Sequence, residues 1–171
     1  MTPKNLEDLY VHQLRDLYSA ETLIIDALPR MAKKASNPQL RKAFEMHLEE
    51  TKQQKERLDQ IFSRMDISPK GQTCKAMKGL IAEAEDFIDE AKKLFGSDSP
   101  SAVLDAGLIA EAQRVEHYEI SAYGTVATYA ETLGLHSDHQ LLSATIAEEK
   151  KTDSMLSDLA KTMVNPAAVT A

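Results

Sequence analysis

Three short stretches of the chain pair metal-ligating residue types at helical spacing. "AQRVEHYEISAYG", residues 112–124, carries Glu116-x-x-Glu119. "HLEET", residues 47–51, carries His47-x-x-Glu50, and "EEKKTD", residues 148–153, carries Glu149 with Asp153 four positions on. Spacings of three and four put both side chains on one helix face. Carboxylates joined by one imidazole suit hard divalent metals such as iron or manganese. Whether these residues meet depends on the elements that carry them.

The chain has 171 residues, enough for one domain with a sizeable core. It is 43% hydrophobic and 27% charged, the balance of a soluble globular protein. Ala, Leu, Glu and Lys dominate and β-branched residues never alternate in runs, so the predicted class is all-α. A net charge of −7 argues against nucleic acid or an anionic membrane as partner. Cys74 is the one cysteine, which excludes an intrachain disulfide and fits a reducing compartment. The start "MTPKNLEDLY" lacks the apolar core of a signal peptide, and "ISAYGTVATYA" is too short to span a bilayer. The cytoplasm is the expected location.

Punctuation marks five helices. Thr2-Pro3 reads as a cap and first-turn proline, opening a helix over about residues 3–34, with a kink or break expected near Leu28 because Pro29 follows. Asn37-Pro38 repeats the signal for a helix over about 38–64. Thr73 is the expected cap of a shorter helix, about 74–94, closed by Gly96. Ser99-Pro100 opens a helix over about 100–133, stopped at Leu133-Gly134. Ser137 with Gln140 makes a capping box for a helix over about 138–163. One domain is expected over 1–164, with 165–171 a disordered tail. Short turns make the first and last long pairs antiparallel. The long middle connection makes the whole a ferritin-like four-helix bundle with one long crossover carrying the extra shorter helix.

Each long helix has an apolar stripe, and each stripe contains or adjoins an acid. Glu21 sits among Leu14, Leu17 and Ile25. His47, Thr51 and Gln54 fill the middle of a stripe running from Leu40 to Met65, with Glu50 flanking it. Glu116 centres the stripe of Ile109, Ile120 and Tyr123, with Gln113 and Glu119 a turn to either side. Glu149 centres that of Leu142 and Leu156, with Asp153 a turn on. An unpaired buried charge costs several kcal/mol, so four to six converging acids call for cations.

Singly, each residue also has an ordinary structural reading. A lone glutamate can be a rim residue, His47 a satisfied core histidine, and Asp153 a partner for a neighbouring lysine. Glu119 can lie at the bundle edge. Tyr10, Tyr18 and Tyr123 lie along the site faces as core or supporting residues. His12, His117, His136 and His139 fall off the core lines or in a turn. Central acids at matching depth on four helices favour a metal site over the sum of these readings.

"DLYSAE" at 16–21, "HLEET", "AQRVEHYEISAYG", "EEKKTD" and "KAMKGLIAEA" in the insert helix together resemble the YciF/YciE family of ferritin-like bacterial proteins over nearly the whole chain. The resemblance implies a dimeric stress-associated helical protein, distantly related to rubrerythrin and manganese catalase. Carried over residue by residue, it implies ligands at Glu21, Glu50, Glu116 and Glu149, with His47, Glu119 and Asp153 as further members. The Glu116-x-x-Glu119 pair is similar to rubrerythrin's third helix. The Glu-x-x-His expected of the second and fourth bundle helices is missing, which departs from ferritin-type oxidase sites.

The expected function is a dinuclear iron or manganese protein. Glu50 and Glu149 would bridge, Glu21 and Glu116 would be terminal, and His47, Glu119 and Asp153 would fill or orient the rest. Any substrate would be small, peroxide or dioxygen, and no catalytic residue is assigned. The alternative is a non-enzymatic structural or interaction protein of the stress response whose metal is a staple or a vestige. An iron-storing cage fits a dimer less well.

Overall fold

The structure, a computed structural model, describes residues 2–95 and 101–169. Among these residues there are only helices and connecting turns. The elements are α1 (Leu6–Lys34), α2 (Pro38–Arg64), α3 (Lys75–Phe95), α4 (Ala102–Thr132), α5 (His136–Leu159), a π-helical turn (Ala160–Val164) and α6 (Asn165–Val169).

Local chemistry sets the boundaries. Asn37 caps α2 by accepting from the backbone N–H of Gln39 and Leu40, with Pro38 in the first turn, as expected. Gly134 ends α4 at φ +73, a left-handed turn that glycine adopts without strain. Other boundaries differ from the sequence reading. Asn5, not Thr2, caps α1 by accepting from Asp8 N–H at 2.7 Å, because its amide reaches the third turn residue. α1 continues without a break through Pro29, which lies on its exposed side. Cys74 rather than Thr73 opens α3. Its carbonyl accepts Lys78 N–H at 3.1 Å and its thiol meets Met77 N–H at 3.4 Å. The Ser137–Gln140 capping box does not form. α5 already begins at His136, without a side-chain cap. Asp138 in that first turn is instead bonded by Tyr10 at 3.0 Å and Arg64 at 2.5 Å.

Ser101 caps α4 by accepting from Leu104 N–H. The predicted Gly96 stop and Ser99-Pro100 start lie outside the described residues. In the segment expected as a tail, Asn165–Val169 forms the helical turn α6, which buries none of its side chains.

Around the bundle the neighbours run α1, α2, α5, α4, and α3 lies across α1 and α4. With α3 inside the connection from α2 to α4, this is the ferritin-like arrangement. Close packing seats α3. A methyl group added at Gly107 of α4 would lie 2.0 Å from the ring of Phe87.

The apolar core falls into two clusters. One gathers Ile24, Leu28, Leu40, Phe44, Leu108, Ile109 and Leu156 with the buried face of α3. The other gathers Tyr10, Leu14, Leu17, Leu58, Phe62, Tyr123, Val126 and Leu142. In every long helix the residues between the two clusters are the polar ones: Glu21, then His47 to Gln54, Glu116 to Glu119, and Glu149.

Candidate metal centre

The polar layer exists because each amphipathic helix turns the same face inward along its whole length, and that face holds an acid or imidazole at mid-length. α1 supplies Glu21, α2 His47, α4 Glu116 and Glu119, and α5 Glu149. All are buried. Glu21, Glu119 and Glu149 are 0% exposed, Glu116 2% and His47 3%. One ligating atom each from His47, Glu116, Glu119 and Glu149 lie within 4.8 Å of one another. His47 Nε2 is 3.6 Å from Glu116 Oε1.

Few protein donors reach these groups. The Tyr123 hydroxyl donates to Glu21 Oε1, and the Gln54 amide donates to Glu149 Oε1. Glu21 Oε2, Glu116 Oε2, both oxygens of Glu119, Glu149 Oε2 and both ring nitrogens of His47 are buried with no hydrogen-bond partner. Buried polar atoms in folded proteins are almost always partnered. No lysine or arginine is buried among the described residues. Arg57, at the edge of the layer, is already held by both oxygens of Glu148 at 2.6 Å.

Desolvation sets the protonation of the metal-free layer. Burial pushes Glu21 up to about 8, and the nearby Glu149 adds to this while the Tyr123 hydrogen bond opposes it. Burial also raises Glu116 and Glu119 well above the carboxylate range, and the approach of carboxyl to carboxyl, Glu116 to Glu149 and Glu119 to Glu21, adds to it together with repulsion among the acids. Burial lowers His47, favouring the neutral ring that ligates metal, against the pull of Glu149 and Glu50. Glu148 behaves oppositely. Burial pushes it up, but its bonds to Arg57 and Gln54 outweigh that and leave it below the usual range.

Oxygen and imidazole donors with free lone pairs, deep in a layer without buried cations, fit a bound divalent metal. When ionised, Glu21, Glu116, Glu119 and Glu149 carry a charge that two divalent ions would balance. The buried His/Glu cluster can therefore bind a metal.

Of the residues singled out from the sequence, Glu21, His47, Glu116, Glu119 and Glu149 come together in the layer. Glu119, which could have lain at the bundle edge, is fully buried. Glu50 and Asp153 lie at the rim. Glu50 is half-buried with Lys151 and Thr152 each at 3.5 Å. Asp153 accepts from Gln113 at 2.9 Å and stands 3.3 Å from the exposed His117. Arg57 and Glu148 were not picked out from the sequence. The available signals were that Glu148 precedes Glu149 and that Arg57 follows Gln54 by one turn.

A family model described as "Domain of unknown function (DUF892)" matches residues 5–169. Protein YciF of Escherichia coli strain K12 is 47% identical over 169 residues, 98% of each chain. The crystal structure of the E. coli stress protein YciF matches with a TM-score of 0.86 at 46% identity, covering 95% of this chain and 99% of that one. The structure of YcfI from Rhodopseudomonas palustris matches with a TM-score of 0.82 at 42% identity, covering 90% and 94%. A protein of Xanthomonas campestris pv. campestris, at 17% identity and a TM-score of 0.71 over 94% of each chain, shares the fold. No described helix is long and apolar enough to cross a membrane.

Proposed function

The chain belongs to the DUF892 family, and from that premise we propose a stress-response protein built around a buried dinuclear iron or manganese centre. The observation that carries this reading is the layer of partnerless carboxylate oxygens and imidazole nitrogens crossed by all four bundle helices.

His47, Glu116, Glu119 and Glu149 would hold the metal, and Glu21 would complete the set from α1. Glu50 sits one helical turn from His47, and its two contacts at 3.5 Å are loose enough to release it as a further ligand. Asp153 would stay at the rim and orient Gln113 and His117. Iron or manganese held there would supply one-electron redox chemistry toward a small oxidant such as peroxide or dioxygen. The chain's own part is to fix the carboxylates, keep His47 neutral and exclude bulk water. Tyr123 holds Glu21 and Gln54 holds Glu149, each leaving the other carboxylate oxygen free.

Crystals grown with Mn(II) or Fe(II) should show anomalous peaks between His47 and the four glutamates. Elemental analysis should find the metal lost in Glu149→Gln and Glu119→Gln. Unchanged metal content in both variants would overturn the reading.

Closure of the layer favours a second reading, a structural metal in a non-enzymatic protein, since none of the five side chains exceeds 3% exposure. On that reading the loaded protein melts higher than the metal-free form and consumes no peroxide beyond what free metal does. A homodimer with no nucleic-acid partner accompanies either reading.

A further inference from the structure

One chain of hydrogen bonds joins the buried layer to the protein surface. Gln54 of α2 is fully buried. Its amide nitrogen donates to Glu149 and, at 3.1 Å, to Glu148 Oε2 of the same helix α5. Glu148 in turn receives both arms of the Arg57 guanidinium at 2.6 Å, and Arg57 also donates to Thr145 at 3.1 Å. Arg57 and Glu148 keep 19% and 25% of their side chains in contact with solvent. The chain thus begins at a surface ion pair and ends on a carboxylate of the candidate centre.

The chemistry fixes which way the Gln54 amide faces. Both groups at its nitrogen end are carboxylates, which only accept hydrogen bonds. The flipped amide would set its carbonyl against them, so the N–H2 assignment stands on the network. Its Oε1 is then left buried without a donor. Both N–H groups are committed, one to each glutamate, so Gln54 cannot turn without breaking both bonds. Glu149 is held through Oε1 while Oε2 stays free.

We propose that Gln54, locked by the Arg57–Glu148 ion pair, is the positioning residue that presents Glu149 to a divalent cation, so that a pair at the protein surface sets the affinity of the buried centre. This rests on the metal-centre reading above. Groups that orient metal-ligating side chains commonly change metal affinity 10–100-fold when removed. A bidentate guanidinium–carboxylate pair supplies the geometric stiffness such an anchor needs. A lysine would supply the charge without the fork.

The test is equilibrium dialysis of the full chain against Mn(II), with bound manganese counted by elemental analysis and metal-free melting measured in parallel. Gln54→Leu and Arg57→Met should each weaken Mn(II) binding, by roughly 10–100-fold for Gln54→Leu and in the same direction for Arg57→Met. Arg57→Lys should fall between Arg57→Met and the parent. Arg57 lies at the rim, so Arg57→Met serves if Gln54→Leu does not fold. Parental Mn(II) affinity in Arg57→Met, or a lowered melting point with no change in affinity, overturns the positioning role and leaves the metal centre standing. Absence of metal from the parent protein after dialysis against Mn(II) and, anaerobically, against Fe(II) overturns the metal-centre reading, and this inference with it.

Discussion

The Tyr123 hydroxyl donates to Glu21 across the gap between α4 and α1, and both side chains are fully buried. This hydrogen bond is the larger of two contacts, the other with Glu119, that favour the ionised form of Glu21 against burial and the neighbouring Glu149. Tyr123→Phe removes the hydroxyl donor and leaves Glu21 facing only the Glu119 carboxyl. The variant should lose about 1–3 kcal/mol of stability in urea unfolding at neutral pH. A variant as stable as the parent would show that the hydroxyl and the carboxylate do not depend on each other.

The metal-free protein should become less stable as the medium becomes more alkaline. Glu21 titrates near 4.5 in an unfolded chain and at about 8 in the fold, so between those values the folded state holds the extra proton. A group whose folded value is raised contributes fully below its unfolded value and loses that contribution as pH rises through the folded one. Glu116 and Glu119 are raised by the same cause and add to the slope. Melting of chelator-treated protein should therefore fall between about pH 4.5 and pH 8. Excess Mn(II) should flatten the profile, because bound cations favour the ionised acids. A flat profile in the metal-free protein would mean the layer is hydrated.

Asp105 should prove to be a structural acid. It is buried, accepts Ser36 N–H at 2.8 Å, Ser36 Oγ–H at 2.5 Å and Asn37 N–H at 2.9 Å, and so ties the start of α4 to the turn between α1 and α2. Asp105→Asn turns an N–H2 toward donors and should cost about 2–3 kcal/mol in denaturant unfolding. Its metal content should match the parent, which separates this acid from those of the layer. Loss of metal in a folded Asp105→Asn protein would contradict that division.

Gly107→Ala sets two effects against each other. Alanine favours a helix interior over glycine by about 1 kcal/mol. The added methyl group would meet the Phe87 ring at 2.0 Å, and overpacking of this kind costs about 1–3 kcal/mol. Destabilisation should win, and Phe87→Leu in the same chain should recover part of it. If Gly107→Ala alone raises the melting temperature, Phe87 leaves its seat without penalty.

Much of the site could be read from periodicity because helical phase is a local property. Glu21, Glu116 and Glu149 centre their stripes, and the same count places His47, Thr51 and Gln54 inward. Periodicity fixes a direction from the helix axis only to within a side chain's width. Glu50 therefore ranks above Glu119 in the sequence and Asp153 level with it, yet Glu50 and Asp153 reach Lys151 and Gln113 at the rim while Glu119 is fully buried. That choice depends on how α2, α4 and α5 are rotated against one another, which no single helix encodes. The Arg57–Glu148 pair spans 91 positions and was invisible for the same reason. Helix starts were ambiguous where two capping residues stood close together. Asn5 prevailed over Thr2, and α5 starts at His136, one residue before the expected cap Ser137.

The band of acids lies between the two apolar clusters, so the described residues form a pair of short oily plugs with an acidic waist between them. Without cations that waist holds protons in place of charge and ties the four helices together weakly, so the plugs are free to melt at different temperatures. With cations it becomes a cross-link between all four helices, and calorimetry should record one sharp transition in place of two broad ones. Metal supply would then govern whether the protein responds to heat as one body or as two.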